Sequence, residues 1–553
     1  MQFTNSAVRK CVSRNSGIQL CSRLAFSSLA VLIVSGCTWT GFATFGESGE
    51  QANHDSFEPS VSADGRFVAF QSIATNLAPD DTNGVQDVFL RDMDRATTRR
   101  VSLSTPGEQG NGASFTPAVS ENGDYTVFAS DATNLVSDDT NGVRDVFLRE
   151  RITRTTWRLS AYGLFLPVEG NGDSQNPDIT CVSYCTVVFE SNASNLVPID
   201  TNFVRDIFLV TEGGVDPERI SVEGTSGEAD GDSANPSISS GGGLVAFDSS
   251  ATNLLTFGSD TNGFRDIYVR NTALDDTSLA SVSWLGGFAN GSSTNPDISA
   301  DGRFVAFESQ ASNLVFLDSN STTAIYVRDR LNFTNEKISV NNAGEAANAA
   351  SSHPSISGDG RYVAFWSNAT NLVNGDTNNQ RDIFVRDRWT NSTSRLSVDQ
   401  FGAQANGISD QVAISSDGRY AVFASAADNL VPDDDNDIPI GPGFFRSAFD
   451  IVVRVVAGVS VTSVNPTVLP VGATTSITLT GENFFPGFIM DLSGNDDTVA
   501  NVVIVDENTV TADVTIAAGA DSGPRHVTAV VAGTGAGLDK GSLDLCIDCV
   551  SYQ

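Results

Sequence analysis

Apolar and polar positions along this chain alternate in short bursts, and one burst returns at a fixed distance. It opens on Ser-x-Asp-Gly or a variant, runs through β-branched residues and closes on phenylalanine: Phe70, Phe128, Phe189, Phe247, Phe307, Phe365 and Phe423. Successive phenylalanines lie 58, 61, 58, 60, 58 and 58 residues apart. A constant period of this size marks one supersecondary unit stacked on copies of itself.

The fifth copy shows what a unit encodes. Residues 296–299 form a short run centred on Ile298, and Asp301-Gly302 is a hairpin turn, because glycine accepts positive φ at no steric cost. Residues 304–309 alternate and are β-branched or aromatic, the pattern of a strand. Further strands are expected at 324–328 and, after a turn at Asp329-Arg330, at 337–340. Four short antiparallel strands per copy, with no helical period, predict an all-β fold: a β-propeller of seven blades. The last copy lacks a fourth strand of its own, and residues 39–45 are expected to fill that place beside 450–455. Strands from both chain ends would then leave no open edge at the seam.

The stretches Ser62 to Phe70 and Ser299 to Phe307 read Ser-x-Asp-Gly-Arg-Phe-Val-Ala-Phe. This resembles the TolB-type, WD-repeat-like bacterial propeller repeat over about 400 residues. The resemblance implies the fold; such blades occur in periplasmic scaffolds, in envelope proteins and beside peptidase domains. Copy three departs from it at Cys181-Val182-Ser183-Tyr184-Cys185, and copy four at Gly241-Gly242-Gly243.

The flanks divide the chain further. Residues 1–36 read as a signal segment, with Arg9, Lys10, Arg14 and Arg23 ahead of an eleven-residue apolar core at 24–34. That core is too short to span a bilayer as a helix. Val34-Ser35-Gly36-Cys37 resembles a bacterial lipobox, which implies lipid attachment at Cys37; the alternative is an ordinary signal peptide with an incidental cysteine. The propeller is expected over 37–456. Over 457–534, Pro466, Gly472, Ser476 to Gly481, Asn483-Phe484 and Pro486-Gly487 resemble the opening of an IPT/TIG immunoglobulin-like module. Residues 535–553 are expected to form a tail carrying Cys546 and Cys549.

Charge narrows the partners. The chain has 32 basic and 67 acidic residues, a net charge of −35, and almost no lysine. No basic stripe exists, so nucleic acid and anionic lipid surfaces are disfavoured, and the membrane is reached only through the lipid anchor. Cys181 with Cys185, and Cys546 with Cys549, read as local disulfides in an oxidising envelope.

Candidate chemistry sits in the loop between second and third strands. It reads Asp81-x-Asn83-Gly-x-x-Asp87, Asp139-x-Asn141-Gly-x-x-Asp145 and Asp260-x-Asn262-Gly-x-x-Asp266, with looser copies at Asp200, Asn202, Asp206 and at Asp376, Asn378, Asp382. Alternate oxygen ligands, a bend glycine and a closing carboxylate resemble half of a calcium loop, which makes calcium the one cofactor to consider. The competing reading is a turn held by Asp and Asn side chains. Asn-Leu recurs in all seven copies, at Asn76, Asn134, Asn195, Asn253, Asn313, Asn371 and Asn429, and reads as a capping Asn with a plugging Leu.

Between copies, the loops differ in Tyr162, Phe165, Trp284, Phe288, Phe401, Phe444 and Phe445, expected on the same rim as the acidic loops. There they would anchor a peptide or stack on a sugar; the competing reading is that they pack the loops against one another. His54 and His353 are expected in polar runs just before a first strand; with His526 they are the only histidines, and no nucleophile elbow or HExxH occurs. The expectation is a non-catalytic, lipid-anchored binding or scaffold protein of a bacterial envelope, taking an envelope protein or glycan. The alternative is an envelope polysaccharide hydrolase or lyase working from the same face.

Overall fold

In the computed structural model, every regular element among the described residues is a β-strand. The structure describes residues 40–456, except 164–167, 183, 213–215, 225–226, 257, 319–321, 433, 435, 437 and 442–443, together with the strands between 460 and 552. The signal segment and Cys37 lie outside them. The chain divides into two compact units.

The first unit contains seven four-stranded antiparallel sheets. In copy five the strands are Ser293–Ile298, Phe304–Ser309, Ala324–Asp329 and Thr334–Lys337, paired in chain order. The fourth strand lies before the expected 337–340, because Thr334 pairs with Asp329 across a tight turn; Val340 instead forms an isolated bridge to Ala346. In copy seven the strands Ser409–Ile414, Tyr420–Ser425 and Asp450–Val455 are completed by Thr40–Phe42, with Phe42 opposite Val452. The N-terminal segment thus supplies the missing outer strand.

Second strands lose the alternation of a half-exposed sheet. Val305, Ala306 and Phe307 are all fully buried, because each sheet is covered on both faces by its neighbours. Each repeat phenylalanine but the last stacks across its sheet on a third-strand ring: Phe70 on Phe89 at 5.9 Å, for example, and Phe307 on Tyr326 at 6.0 Å. Such pairs contribute about 0.5–1.5 kcal/mol beyond the area they bury.

The Asp-Gly turn has a second purpose. Gly123 has φ 72°, and a Cβ there would run into the ring of Phe67 from the preceding copy. Gly360 meets Phe304, Gly418 meets Tyr362, and Gly65 of copy one meets Tyr420 of copy seven in the same way. Motif glycine and motif aromatic are therefore two halves of one contact between copies. Copy three puts its Cys181–Cys185 disulfide at this turn, in the same apolar cluster as Tyr125.

Inner strands are tied in sequence. Ser60 Oγ accepts from Val119 N (3.1 Å), Asp178 from Ile238 N (2.9 Å), Ser237 from Ile298 N (3.2 Å), Asp297 from Ile356 N (2.7 Å) and Ser355 from Ile414 N (3.1 Å). Each first strand touches the next, and Ser409–Ile414 touches Ser56–Val61. This succession of antiparallel sheets is a propeller arrangement.

The second unit carries two further four-stranded sheets. Thr474–Glu482 pairs with Ser460–Asn465 and with Thr509–Thr515, which pairs with Thr498–Asp506. Val510, Ala512 and Val514 are buried and alternate with more exposed neighbours, as in a sheet covered on one face. In the other sheet Ser542–Tyr552 pairs antiparallel with Pro524–Val531, so the segment expected as a tail contributes a strand. Cys546 and Cys549 lie in that strand; their side chains, and hence the expected bridge, lie outside the described residues.

Candidate functional site

The acidic loops fold alike. Asn83 Nδ2 donates to Asp87 Oδ2 (3.0 Å) and to the Gly110 carbonyl of the next entry turn (2.9 Å). Asn141, Asn202, Asn262 and Asn378 repeat both bonds, to Asp145, Asp206, Asp266 and Asp382 and to the following turn. The closing aspartate is fully buried and accepts a serine hydroxyl: Ser102 to Asp87, Ser221 to Asp206 and Ser397 to Asp382, each at 2.5 Å.

A basic side chain from the fourth strand lies between the two carboxylates. Arg100 stands 3.2 Å from Asp81 and 3.4 Å from Asp87. Arg158 is 3.6 Å from Asp139 and 3.8 Å from Asp145. Arg219 is 3.2 Å from Asp200 and 3.3 Å from Asp206, and Arg395 is 3.2 Å from Asp376 and 3.4 Å from Asp382. Copy five replaces the closing aspartate by Ala324 and pairs Asp318 with Lys337 at 2.8 Å. Burial holds Asp81, Asp87, Asp200, Asp206 and Asp376 above the usual carboxylate range against the pull of these arginines. Asp139 is pushed to about 6, by burial first and by Asp145 second.

Copy four differs. Leu279 stands opposite Tyr268, where copies one, two, three, five and six carry the basic residue, and the Tyr268 hydroxyl donates to Asp260 (3.0 Å). Burial pushes Asp266 to about 7. Among the described residues, no group of three or more His, Cys, Asp or Glu side chains converges as a metal-binding set.

The rim loops are tied together. Gln109 donates to Thr82 (2.6 Å), Thr140 and Thr201 donate to Glu169 and Glu228 (2.7 and 2.6 Å), and Gln404 donates to Thr377 (2.8 Å). The acidic loop of one copy therefore sits beside the entry turn of the next.

No protein family's sequence profile matches the chain, and no curated protein matches it. Solved structures do. One is a putative TolB from Agrobacterium tumefaciens, 14% identical, covering 66% of this chain and 95% of its own at a TM-score of 0.33. Another is a puromycin-hydrolyzing peptidase of Mycobacterium tuberculosis, 14% identical, covering 70% of this chain and 52% of its own at 0.40. A third is a GH74 xyloglucanase of Xanthomonas campestris, 9% identical, covering 81% and 60% at 0.39.

Aromatic rings stand on the rim. Trp284 is 49% exposed and meets Phe316 edge-on at 5.0 Å; Phe316 and Leu317 are more exposed still. Phe288 pairs its backbone with Val282 in the same entry turn. Phe401 lines a recess of about 240 Å³ with Asp399, Asp428, Asn429 and Asp434. Tyr162 lies in a two-residue strand opposite Val168. Phe444 and Phe445 belong to a hairpin pairing 438–441 with 444–446; their side chains, and all of Phe165, lie outside the described residues.

A second set of residues, unsuspected from the sequence, lines the inner margin of this face. Each first strand contains one residue in the left-handed region: Glu58, Thr116, Asn176, Asn235, Asn295, His353 and Gln411, with φ between 43° and 51°. His353 thus lies within the strand Ser351–Ile356 and not before it. The amides of Asn235, Asn295 and His353 donate to a second-strand carboxylate of the preceding copy: Glu190 (2.9 Å), Asp248 (3.2 Å) and Glu308 (3.0 Å). Arginines that precede the third strands meet this belt. Arg205 pairs with Glu190 at 2.9 Å, and Arg265 pairs with Asp248. Arg381 pairs with Asp410 and lies 4.0 Å over Trp366, while Arg144 lies 4.1 Å over Phe115. Trp366 Nε1 donates to His353 Nδ1 (3.2 Å).

Proposed function

We propose that the protein is a non-catalytic, lipid-anchored binding protein of a bacterial envelope, whose loop face grips a partner protein. In this reading the seven sheets are the blades of one seven-bladed propeller, the second unit is an IPT/TIG-like spacer, and Cys37 carries the anchor. The contact of first and last inner strands and the completed seventh sheet support the blade count. The signal-like segment and lipobox support export.

One observation carries the binding role. Positions that hold the fold repeat from copy to copy, whereas the inner belt varies, its left-handed position being asparagine in copies three to five and Glu58, Thr116, His353 or Gln411 in the others, and the rim exposes unlike rings. Residues free of a shared architectural duty are those left for recognition. Arginine, and not calcium, is the proposed cation of the acidic loops in copies one, two, three and six.

The test is chemical crosslinking of the full chain in envelope membranes, with Trp284→Ala/Phe316→Ala and Trp366→Ala/Arg381→Ala as variants. A discrete partner held by the native chain and lost from a folded variant is expected. Depolymerisation of an envelope polysaccharide by the purified chain, abolished in the same variants, would replace this reading by the hydrolase or lyase one.

A further inference from the structure

In copies three and four the belt repeats one arrangement. The residue just before the third strand is arginine, and its guanidinium meets the second-strand carboxylate of the same sheet: Arg205 with Glu190, Arg265 with Asp248. The backbone there is also constant, because the carbonyls of Arg205 and Arg265 accept from Ser233 N and Ser293 N at 2.8 Å. Copy five keeps the frame: the Thr323 carbonyl accepts from Ser351 N at 2.9 Å, and Glu308 takes the carboxylate position. Only the guanidinium is gone, since position 323 is threonine.

Glu308 is otherwise held as its counterparts are. Oε1 accepts the Thr294 hydroxyl (2.9 Å), and Oε2 accepts the Ser352 hydroxyl and the His353 amide (3.0 Å). Lys337, the basic residue of copy five's fourth strand, is committed to Asp318. One ring stands beside the carboxylate, and a second stacks on the first. His353 is 55% exposed, with Nδ1 4.0 Å from Glu308, and lies parallel to Trp366 at 5.9 Å. The opposite flank, Trp366 with Arg381 stacked on it, shows within this protein how a guanidinium packs on that indole.

We propose that Glu308, with His353 beside it and Trp366 stacked on His353, is a recognition site for an arginine side chain of a basic segment in a partner protein, which supplies in trans the guanidinium that Arg205 and Arg265 supply in cis. The geometry favours guanidinium over ammonium, because the two internal examples are guanidinium groups and because the planar group suits a carboxylate beside stacked rings. The net charge of −35 draws a basic segment toward the face over distance. The inference rests on the reading that this face binds a partner, and it names that partner's chemistry.

The experiment titrates the full chain with N-acetyl-arginine amide by calorimetry, with the citrulline analogue as the uncharged isostere and the lysine analogue as the ammonium. Binding of the arginine probe is expected, at least about tenfold tighter than citrulline, the scale of one charge-assisted bond. Glu308→Gln should reduce it to the citrulline level. Thr323→Arg should abolish it by filling the place from within, while raising Tm, so loss of binding there cannot be blamed on unfolding. Equal binding by all three proteins, or none by the native chain at tens of millimolar probe, would overturn the proposal. Lysine binding as tightly as arginine would overturn the guanidinium assignment. A crosslinked envelope partner retained by Glu308→Gln but lost on substituting Trp284 and Phe316 would overturn this site and leave the binding function standing.

Discussion

Arg219 shows how a residue distant in sequence decides what a loop is. Asp200, Asn202 and Asp206 read from the chain as three oxygen ligands for a cation. Folding brings the guanidinium of Arg219 to 3.2 and 3.3 Å from the two carboxylates, with all three groups nearly buried. Removing one member of a buried, hydrogen-bonded ion pair costs about 3–5 kcal/mol, because the remaining charge is stranded. Arg219→Leu leaves two stranded carboxylates whose folded-state pKa values, already raised by burial, rise further. A carboxyl with a raised folded pKa binds its proton more tightly folded than unfolded. The variant is therefore expected to match the native chain most closely near pH 4 and to lose stability as pH rises through the raised values. Denaturant unfolding at pH 4.5 and pH 8 measures this; an equal loss at both would reject the buried-pair account.

At the scale of one element, the strand Thr40–Phe42 does more than fill an edge. Beyond it, Thr44 donates to Asp450 (2.5 Å), and Gln51 donates to Asp434 (2.7 Å) and Asp450 (3.1 Å). This strand's segment thus provides copy seven with the donors that Ser102 and Arg100 provide in copy one. Burial pushes Asp450 to about 7, and Asn436 donates to it as well (2.8 Å). Deleting 38–45 is expected to lower Tm by about 5 °C or more, from the lost pairing and the loss of buried Phe42. Hydrogen exchange should show the gain in opening concentrated in Tyr420–Ser425 and Asp450–Val455. An unchanged Tm would mean that the seam closes without this strand.

Hairpins and caps were largely legible along the chain. Asn76 and its six counterparts were readable as caps, and each accepts one backbone amide and donates to one carbonyl across the entry turn, as Asn134 does with Asn111 N and Gln109 O. Leu77, Leu135 and their counterparts are buried beside them. These contacts join segments a short way apart, so a repeated motif encodes them. The belt was not legible. Residues such as Asn235 and His353 precede a proline and look like turn residues; only in the folded chain do their left-handed backbones lie inside a strand, with their amides donating to a carboxylate of the preceding copy.

For the whole molecule, the anchor is the prediction that fits the scale. Cys37→Ser is expected to move the protein from the membrane to the soluble fraction of a cell lysate with its Tm unchanged, because the strand that completes the seventh sheet, Thr40–Phe42, keeps all its residues. Persistence in the membrane fraction would reject lipid attachment at Cys37.

A fixed period of alternating runs determined the strand count per copy, the all-β class and the number of copies, because these depend on neighbours in the chain and on the two-residue period of a strand. Which oxygens meet an arginine, why the turn glycine cannot carry a Cβ, and where Glu308 stands without its guanidinium depend on residues from different copies or from opposite ends of a sheet. Spacing along one chain does not encode such distances; they come into being when the sheets pack against one another.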